Sequence, residues 1–231
     1  MTPFSENLRG AALMMGGMCA YTVNDAFMKL VLVDVPLFQA TFIRGLGIMF
    51  ALIVICGIMG KLRVEMARRD WWLVWLRSAS EVISTIFFLT ALSRMPLANL
   101  SAVLQALPLT VTLAGAVIFR EALGWRRMTA ILVGFAGVLL IIQPGADGFT
   151  SSAFFALAAV AFVTVRDLAA RPLSHDVPSV FVALMAAVCV TVFAGIASMF
   201  DDWAPVSVSG ARNLGGAMIC LVCGYTCSVM A

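Results

Sequence analysis

The chain has 231 residues, of which 62% are hydrophobic and 12% are charged, and its formal net charge is +3. Soluble domains carry about 25% charged residues and are roughly half apolar, so a chain this apolar cannot cover a water-soluble surface. The composition predicts an all-α integral membrane protein, and the small net charge argues against a nucleic-acid partner.

Apolar runs recur along the chain, and each is long enough to cross about 30 Å of hydrocarbon as a helix. They predict eight transmembrane helices with short connections between them. The predicted spans are Ala11–Val33, Pro36–Gly60, Trp71–Leu92, Leu97–Phe119, Trp125–Ile142, Phe149–Ala170, Pro178–Phe200 and Leu214–Ala231.

Basic residues are divided unevenly between alternate loops. The loops and helix ends on the side of the membrane opposite the N-terminus hold three, which are Lys29, Arg94 and Arg212. The N-terminus and every second loop hold ten, which are Arg9, Lys61, Arg63, Arg68, Arg69, Arg120, Arg126, Arg127, Arg166 and Arg171. Because basic loops stay in the cytoplasm, this asymmetry predicts a cytoplasmic N-terminus.

The first hairpin carries ionisable side chains inside its spans. Asp25 and Arg44 each lie about nine residues from the apex of the hairpin near Asp34, which places both roughly 14 Å below the outer helix ends. An Asp25–Arg44 pair across the hairpin is therefore expected. Asp25 has an alternative partner in Lys29, four residues on along the same helical face.

Polar side chains also interrupt the third and fourth spans. Glu81 lies ten residues in from Trp71, about 15 Å deep at the rise of a helix, and Arg77 is one turn away on the same face. Gln105 stands one turn before Pro108, a residue that removes a backbone hydrogen bond from the helix. Charges placed this deep in a membrane usually mark a substrate or ion pathway.

Part of the first hairpin is repeated later in the chain. Thr22–Pro36 reads TVNDAFMKLVLVDVP and Thr164–Pro178 reads TVRDLAARPLSHDVP, with six of fifteen positions identical at an offset of 142. The offset spans five helices, an odd number, so the two copies enter the membrane from opposite sides. Inverted repeats of this kind are typical of secondary transporters, and they predict two domains, residues 1–143 and the incomplete 149–231.

The repeat also copies the acidic and basic residues near the end of the first helix. Asp167 and Arg171 stand where the first copy has Asp25 and Lys29. Cations near a helix C-terminus favour the helix dipole, so Lys29, Asp167 and Arg171 are interpreted as structural helix-end pairs. Asn24 and the deeper Arg44 and Glu81 are particular to the first copy and are interpreted as functional.

From Ala91 the chain reads ALSRMPLANLSAVLQALPLTVTLAGAVIFREALGWRRMTAILVGFAGVLLIIQPG. The elements MPLAN, LQALPL, FREALGWRR, GFAGVLLI and the closing PG make it resemble the EamA module of the drug/metabolite transporter superfamily. The ND pair followed by Lys29, and then by an arginine in the second helix, looks like the branch that includes S-adenosylmethionine and riboflavin carriers.

The resemblance implies ten helices arranged as two inverted five-helix repeats around a central cavity. Three helices of the second repeat are present, so the sequence is expected to be a C-terminally truncated product or a fragment. No zinc-protease motif, nucleophile elbow or phosphate loop occurs, and neither an enzyme, a cofactor nor a metal site is predicted.

The predicted function is transport of a small organic metabolite by alternating access in a bacterial inner membrane. Riboflavin, S-adenosylmethionine, amino acids and other metabolites remain open as substrates, and a coupling proton and a second copy of the chain are the further partners considered. Arg44 would bind a substrate carboxylate or phosphate with Asp25 as its resting partner, and Glu81 would serve a proton or an amine. The substrate or coupling residues predicted are Asn24, Asp25, Arg44, Arg77, Glu81 and Gln105. The alternative is a truncated, non-transporting fragment or subunit of such a carrier.

Overall fold

The computed structural model describes residues 3–62, 64–142, 151–174 and 176–230, which form helices and no strands. The helices are α1 (Pro3–Val31), α2 (Leu37–Ile58), α3 (Arg68–Arg94), α4 (Leu97–Leu104), α5 (Leu107–Phe119), α6 (Trp125–Ile142), α7 (Ser151–Ala170), α8 (Ser179–Ser198) and α9 (Val208–Met230). The predicted all-α fold class is confirmed.

Five helical segments are long and apolar enough to cross a membrane. They are Leu37–Ile58, Arg68–Arg94, Leu97–Phe119, Ser152–Ala170 and Ser179–Ser198, where α4 and α5 count as one segment. The other three predicted spans also lie in helices, namely α1, α6 and α9, although α1 and α9 begin before the predicted residues. Arg63, Phe149 and Ala231, which entered the predictions above, lie outside the described residues.

Prolines set the points at which several helices begin. Pro36, Pro96 and Pro178 stand directly before α2, α4 and α8. Proline suits this position because its ring fixes φ near the helical value and its missing N–H would have no partner in the first turn. Pro108 has the opposite effect inside the predicted fourth span, where the helix is divided at residues 105–106.

The chain divides into two compact units that do not coincide with the two halves of the sequence. Unit 1 combines Met1–Glu65 with Asp176–Ala231 and so contains α1, α2, α8 and α9. Unit 2 is Met66–His175 and contains α3 to α7. Each unit draws helices from both predicted copies, while the domain division at residues 143–149 stays a prediction from the repeat.

The helix pairing inside the units follows the offset of the repeat. In unit 1, α1 packs on α9 and α2 packs on α8; in unit 2, α3 packs on α7. The first helix of each predicted copy therefore packs on the third helix of the other copy. Moreover, α8 begins at Ser179, 142 residues after α2 begins at Leu37. Two copies of one helical arrangement would produce this pattern.

In unit 1, aromatic rings of α1 pack on glycines of α9. Phe27 and Tyr21 of α1 lie against Gly216 and Gly224, so closely that a Cβ on either glycine would approach the facing ring to 2.9 Å or less. Tyr21 also meets Tyr225 edge to face, with 6.0 Å between the ring centroids. Small residues let helix backbones approach in this way inside a membrane, so these glycines set the spacing of α1 and α9.

Adjacent glycines provide a matched test of this packing. Gly216→Ala is expected to lower the stability of the fold by about 1–3 kcal/mol, since its Cβ overpacks the contact with Phe27. A Cβ at position 215 would meet nothing within 4 Å, and Gly215→Ala is expected to raise stability by up to about 1 kcal/mol through helix propensity. Thermal unfolding of the two purified variants in detergent measures the difference, and shifts of the same sign and size would contradict this packing.

Candidate functional site

Asn24 joins the predicted charges of the first hairpin. Its side-chain Oδ1 accepts a hydrogen bond from Arg44 Nη1 at 3.4 Å, and its Nδ2 donates one to Asp25 Oδ1 at 3.0 Å. Asn24 is 3% exposed and Arg44 is 8% exposed, so the amide and the guanidinium are both buried within unit 1. We name Asn24, Asp25 and Arg44 the hairpin cluster.

The hairpin cluster adds an amide to the predicted pair of Asp25 and Arg44. The carboxylate of Asp25 accepts a hydrogen bond from Asn24, whose side-chain oxygen accepts one from Arg44. The direct Asp25–Arg44 and Asp25–Lys29 pairs stay predictions. Successive residues point about 100° apart around a helix, so the buried Asn24 faces Arg44 while Asp25 is only half-buried. The sequence predicts both charged residues and their common level, but it does not indicate that an amide links them.

A second charged cluster lies between α3 and α7 in unit 2. Arg166 Nη1 donates to both carboxylate oxygens of Glu81, at 3.2 and 3.3 Å, and Arg166 Nε donates to Asp167 Oδ1 at 2.8 Å. One guanidinium is thus shared by two carboxylates on different helices. We name Glu81, Arg166 and Asp167 the α3–α7 cluster.

Arg166 is a site residue that the sequence prediction missed. The prediction counts it among the loop cations, whereas it lies within α7 and bonds Glu81. The available signal is the repeat, because Arg166 occupies the position of Asn24 at the offset of 142. In both copies the side chain at this position donates a hydrogen bond to the aspartate that follows it. It also bonds a charged side chain on another helix, which is Arg44 for Asn24 and Glu81 for Arg166.

The predicted Asp167–Arg171 pair is not formed. Asp167 is bonded by its neighbour Arg166, and Arg171 Nη1 lies 3.7 Å from Glu121 Oε1, with its guanidinium over the ring of Phe119. The reason is that α7 ends at Ala170, so Arg171 does not continue the helical spacing of four residues. Lys29, the equivalent in the first copy, is half-buried near the end of α1.

The remaining predicted residues, Arg77 and Gln105, belong to neither cluster. Arg77 lies one turn before Glu81, and its buried Nη1 has no hydrogen-bond partner within the described part of the chain. Gln105 is exposed at the break between α4 and α5, where Leu109 N–H bonds the carbonyl of Ala106 in a tightened turn. A further buried carboxylate on α3, that of Asp70, accepts hydrogen bonds from the N–H and hydroxyl groups of Ser174.

Comparison with known proteins identifies the family of the chain. Residues 8–143 match the EamA-like transporter family. The chain belongs to this family. Its resemblance to the drug/metabolite transporter superfamily, predicted from the motifs after Ala91, is confirmed.

This EamA-family chain is also 28% identical to the riboflavin transporter of Vibrio cholerae serotype O1 (strain ATCC 39315 / El Tor Inaba N16961) over 182 residues. The match covers 77% of the chain and 61% of the relative, so the chain spans about three fifths of the length of that protein. No solved structure matches the chain significantly. The family and the apolar helices together identify a multi-pass membrane protein.

Proposed function

We propose that this EamA-family protein is a secondary carrier that moves a small organic metabolite by alternating access between inverted repeats. The observation that carries the proposal is the hairpin cluster, since buried charges in membrane helices mark substrate and ion pathways. The match of α2 and α8 to the offset of 142 supports the repeat architecture on which such carriers are built.

In this proposal the guanidinium of Arg44 binds an anionic or carbonyl oxygen of the substrate. Arginine suits this role because its planar fork of N–H donors stays charged at any physiological pH. Asn24 and Asp25 hold the guanidinium in place before the substrate arrives. The cluster lies six or seven residues from the facing ends of α1 and α2, about 10 Å along each helix.

Riboflavin is the first substrate to test, because a relative of the chain carries that name. S-adenosylmethionine and amino acids are the further substrates within the proposal. The proposed location is a bacterial inner membrane with the N-terminus in the cytoplasm, which is supported by the excess of basic residues in alternate loops.

A bacterial riboflavin auxotroph that expresses the chain tests the proposal. Growth at limiting riboflavin and saturable uptake of labelled riboflavin are expected, both absent with an empty vector. Efflux from preloaded vesicles, measured with riboflavin, S-adenosylmethionine and a panel of amino acids, covers transport in the other direction. If a chain present in the membrane moved none of these compounds in either direction, the proposed function would be contradicted.

A further inference from the structure

The α3–α7 cluster holds more negative charge than its shared guanidinium neutralises. Glu81 and Asp167 carry two carboxylates, and Arg166 supplies one cation to both. Arg77 is the other ionisable group on this stretch of α3, but its buried Nη1 makes no hydrogen bond to the residues described. The neighbouring α4 has no ionisable side chain. Arg166 is therefore the hydrogen-bonded cation on which Glu81 depends.

The two carboxylates hold Arg166 unequally. The bond to Asp167 is 2.8 Å long, against 3.2 and 3.3 Å to the two oxygens of Glu81. Asp167 is also more exposed, at 41% of its side chain against 14% for Glu81. If Glu81 lost its charge, Arg166 would keep a carboxylate partner, so the ionic contact between α3 and α7 can open without leaving a bare buried cation.

The equivalent contact, between α1 and α9, cannot open through the loss of a charge at the position equivalent to Glu81. Cys223 occupies the position of Glu81 at the offset of 142, and Asn24 occupies that of Arg166. The α1–α9 contact is made by Tyr21, Tyr225 and the glycines of α9. A charge change at position 81 therefore acts directly on the α3–α7 pair and not on the α1–α9 pair.

We propose that Glu81 binds the coupling proton of the transport cycle, and that Arg166 then keeps its bond to Asp167 while its bonds to Glu81 weaken. A proton taken from water forms an O–H bond on a Glu81 oxygen, and the hydrogen bonds from Arg166 Nη1 weaken as the carboxylate becomes neutral. No electron transfer is involved. Loss of this ionic contact frees α7 to move against α3. The inference rests on the proposed carrier function and adds its energy source.

Proteoliposomes that contain the full chain with Glu81→Gln test the proposal. Glutamine has the shape of a protonated glutamate, so exchange of labelled for unlabelled substrate should persist while accumulation driven by a pH gradient should disappear. Asp70→Asn is the matched control, because it neutralises another buried carboxylate of α3; it should keep the gradient-driven accumulation. If Glu81→Gln still accumulated substrate, or if both activities fell together, the coupling role would be refuted.

Infrared spectroscopy of the same samples gives a readout that needs no transport. On acidification the wild-type protein should gain a protonated-carboxyl band that is missing in Glu81→Gln and retained in Asp70→Asn. Wild-type protein without a Glu81-dependent band overturns the proton site even if it transports. A chain that shows the band but moves no metabolite keeps the proton site and contradicts the proposed carrier function, so the two failures are distinguishable.

Discussion

Arg44→Ala is expected to lower substrate transport by about two orders of magnitude, the largest loss of activity predicted for a single change. The variant removes a buried guanidinium that Asn24 and Asp25 hold in place. The variant loses charge-assisted hydrogen bonds to the substrate, which contribute about 1.5–3 kcal/mol, and about 1.4 kcal/mol corresponds to a factor of ten. Initial transport rates, normalised to the protein present in the membrane, measure the loss. Arg44→Lys should keep part of the activity because it preserves the charge but not the fork of donors.

Arg44→Ala is also expected to lower the stability of the fold, since Asp25 loses the cation that compensates its charge. The double variant Asp25→Asn/Arg44→Ala removes both charges and should recover the amount of folded protein without recovering transport. The two measurements separate the structural role of Arg44 from its role towards substrate. Wild-type transport by the double variant would show that Arg44 only balances Asp25, and it would remove this residue from the mechanism.

Most of the helices were predictable because hydrocarbon permits few alternatives. In a membrane every backbone polar group needs an internal partner, so each long apolar run becomes a helix, and a proline sets where α2, α4 and α8 begin. The backbone hydrogen bond lost at Pro108 was predicted, but the division of the fourth span at residues 105–106 was not. The early start of α9 at Val208 was not predictable from hydropathy, because Ser209, Gly210 and Arg212 are polar or small residues that continue the helix beyond the apolar run.

The candidate site was predictable only where partners are close in sequence. Asp25 and Arg44 flank one hairpin, so counting residues from its apex placed them at one level. Glu81 and Arg166 are 85 residues apart, and no local spacing indicates that α3 packs on α7. The positive-inside rule also assigned Arg166 to a loop, because that rule counts basic residues without regard to their partners. The alignment of Arg166 with Asn24 was the signal that would have corrected this assignment.

Arg166→Ala is expected to cause the largest loss of stability, since it leaves the mostly buried carboxylate of Glu81 without its cation. Breaking a buried ion pair in this way costs about 3–5 kcal/mol. Arg171→Ala is the matched control just after the same helix: its pair with Glu121 is 41% and 58% exposed, and exposed pairs contribute about 0–1 kcal/mol. Thermal unfolding in detergent should therefore show a large decrease for the first variant and little change for the second.

The double variant Glu81→Gln/Arg166→Ala distinguishes a lost charge partner from lost packing. With a neutral side chain at position 81, removal of the guanidinium leaves no uncompensated charge there, so most of the stability should return. Asp167 loses its bond from Arg166 in either case, but it is exposed enough for solvent to compensate its charge. If the double variant were as unstable as Arg166→Ala alone, the Arg166 side chain would stabilise unit 2 through its apolar stem, and the ionic contact between α3 and α7 would contribute little to the fold.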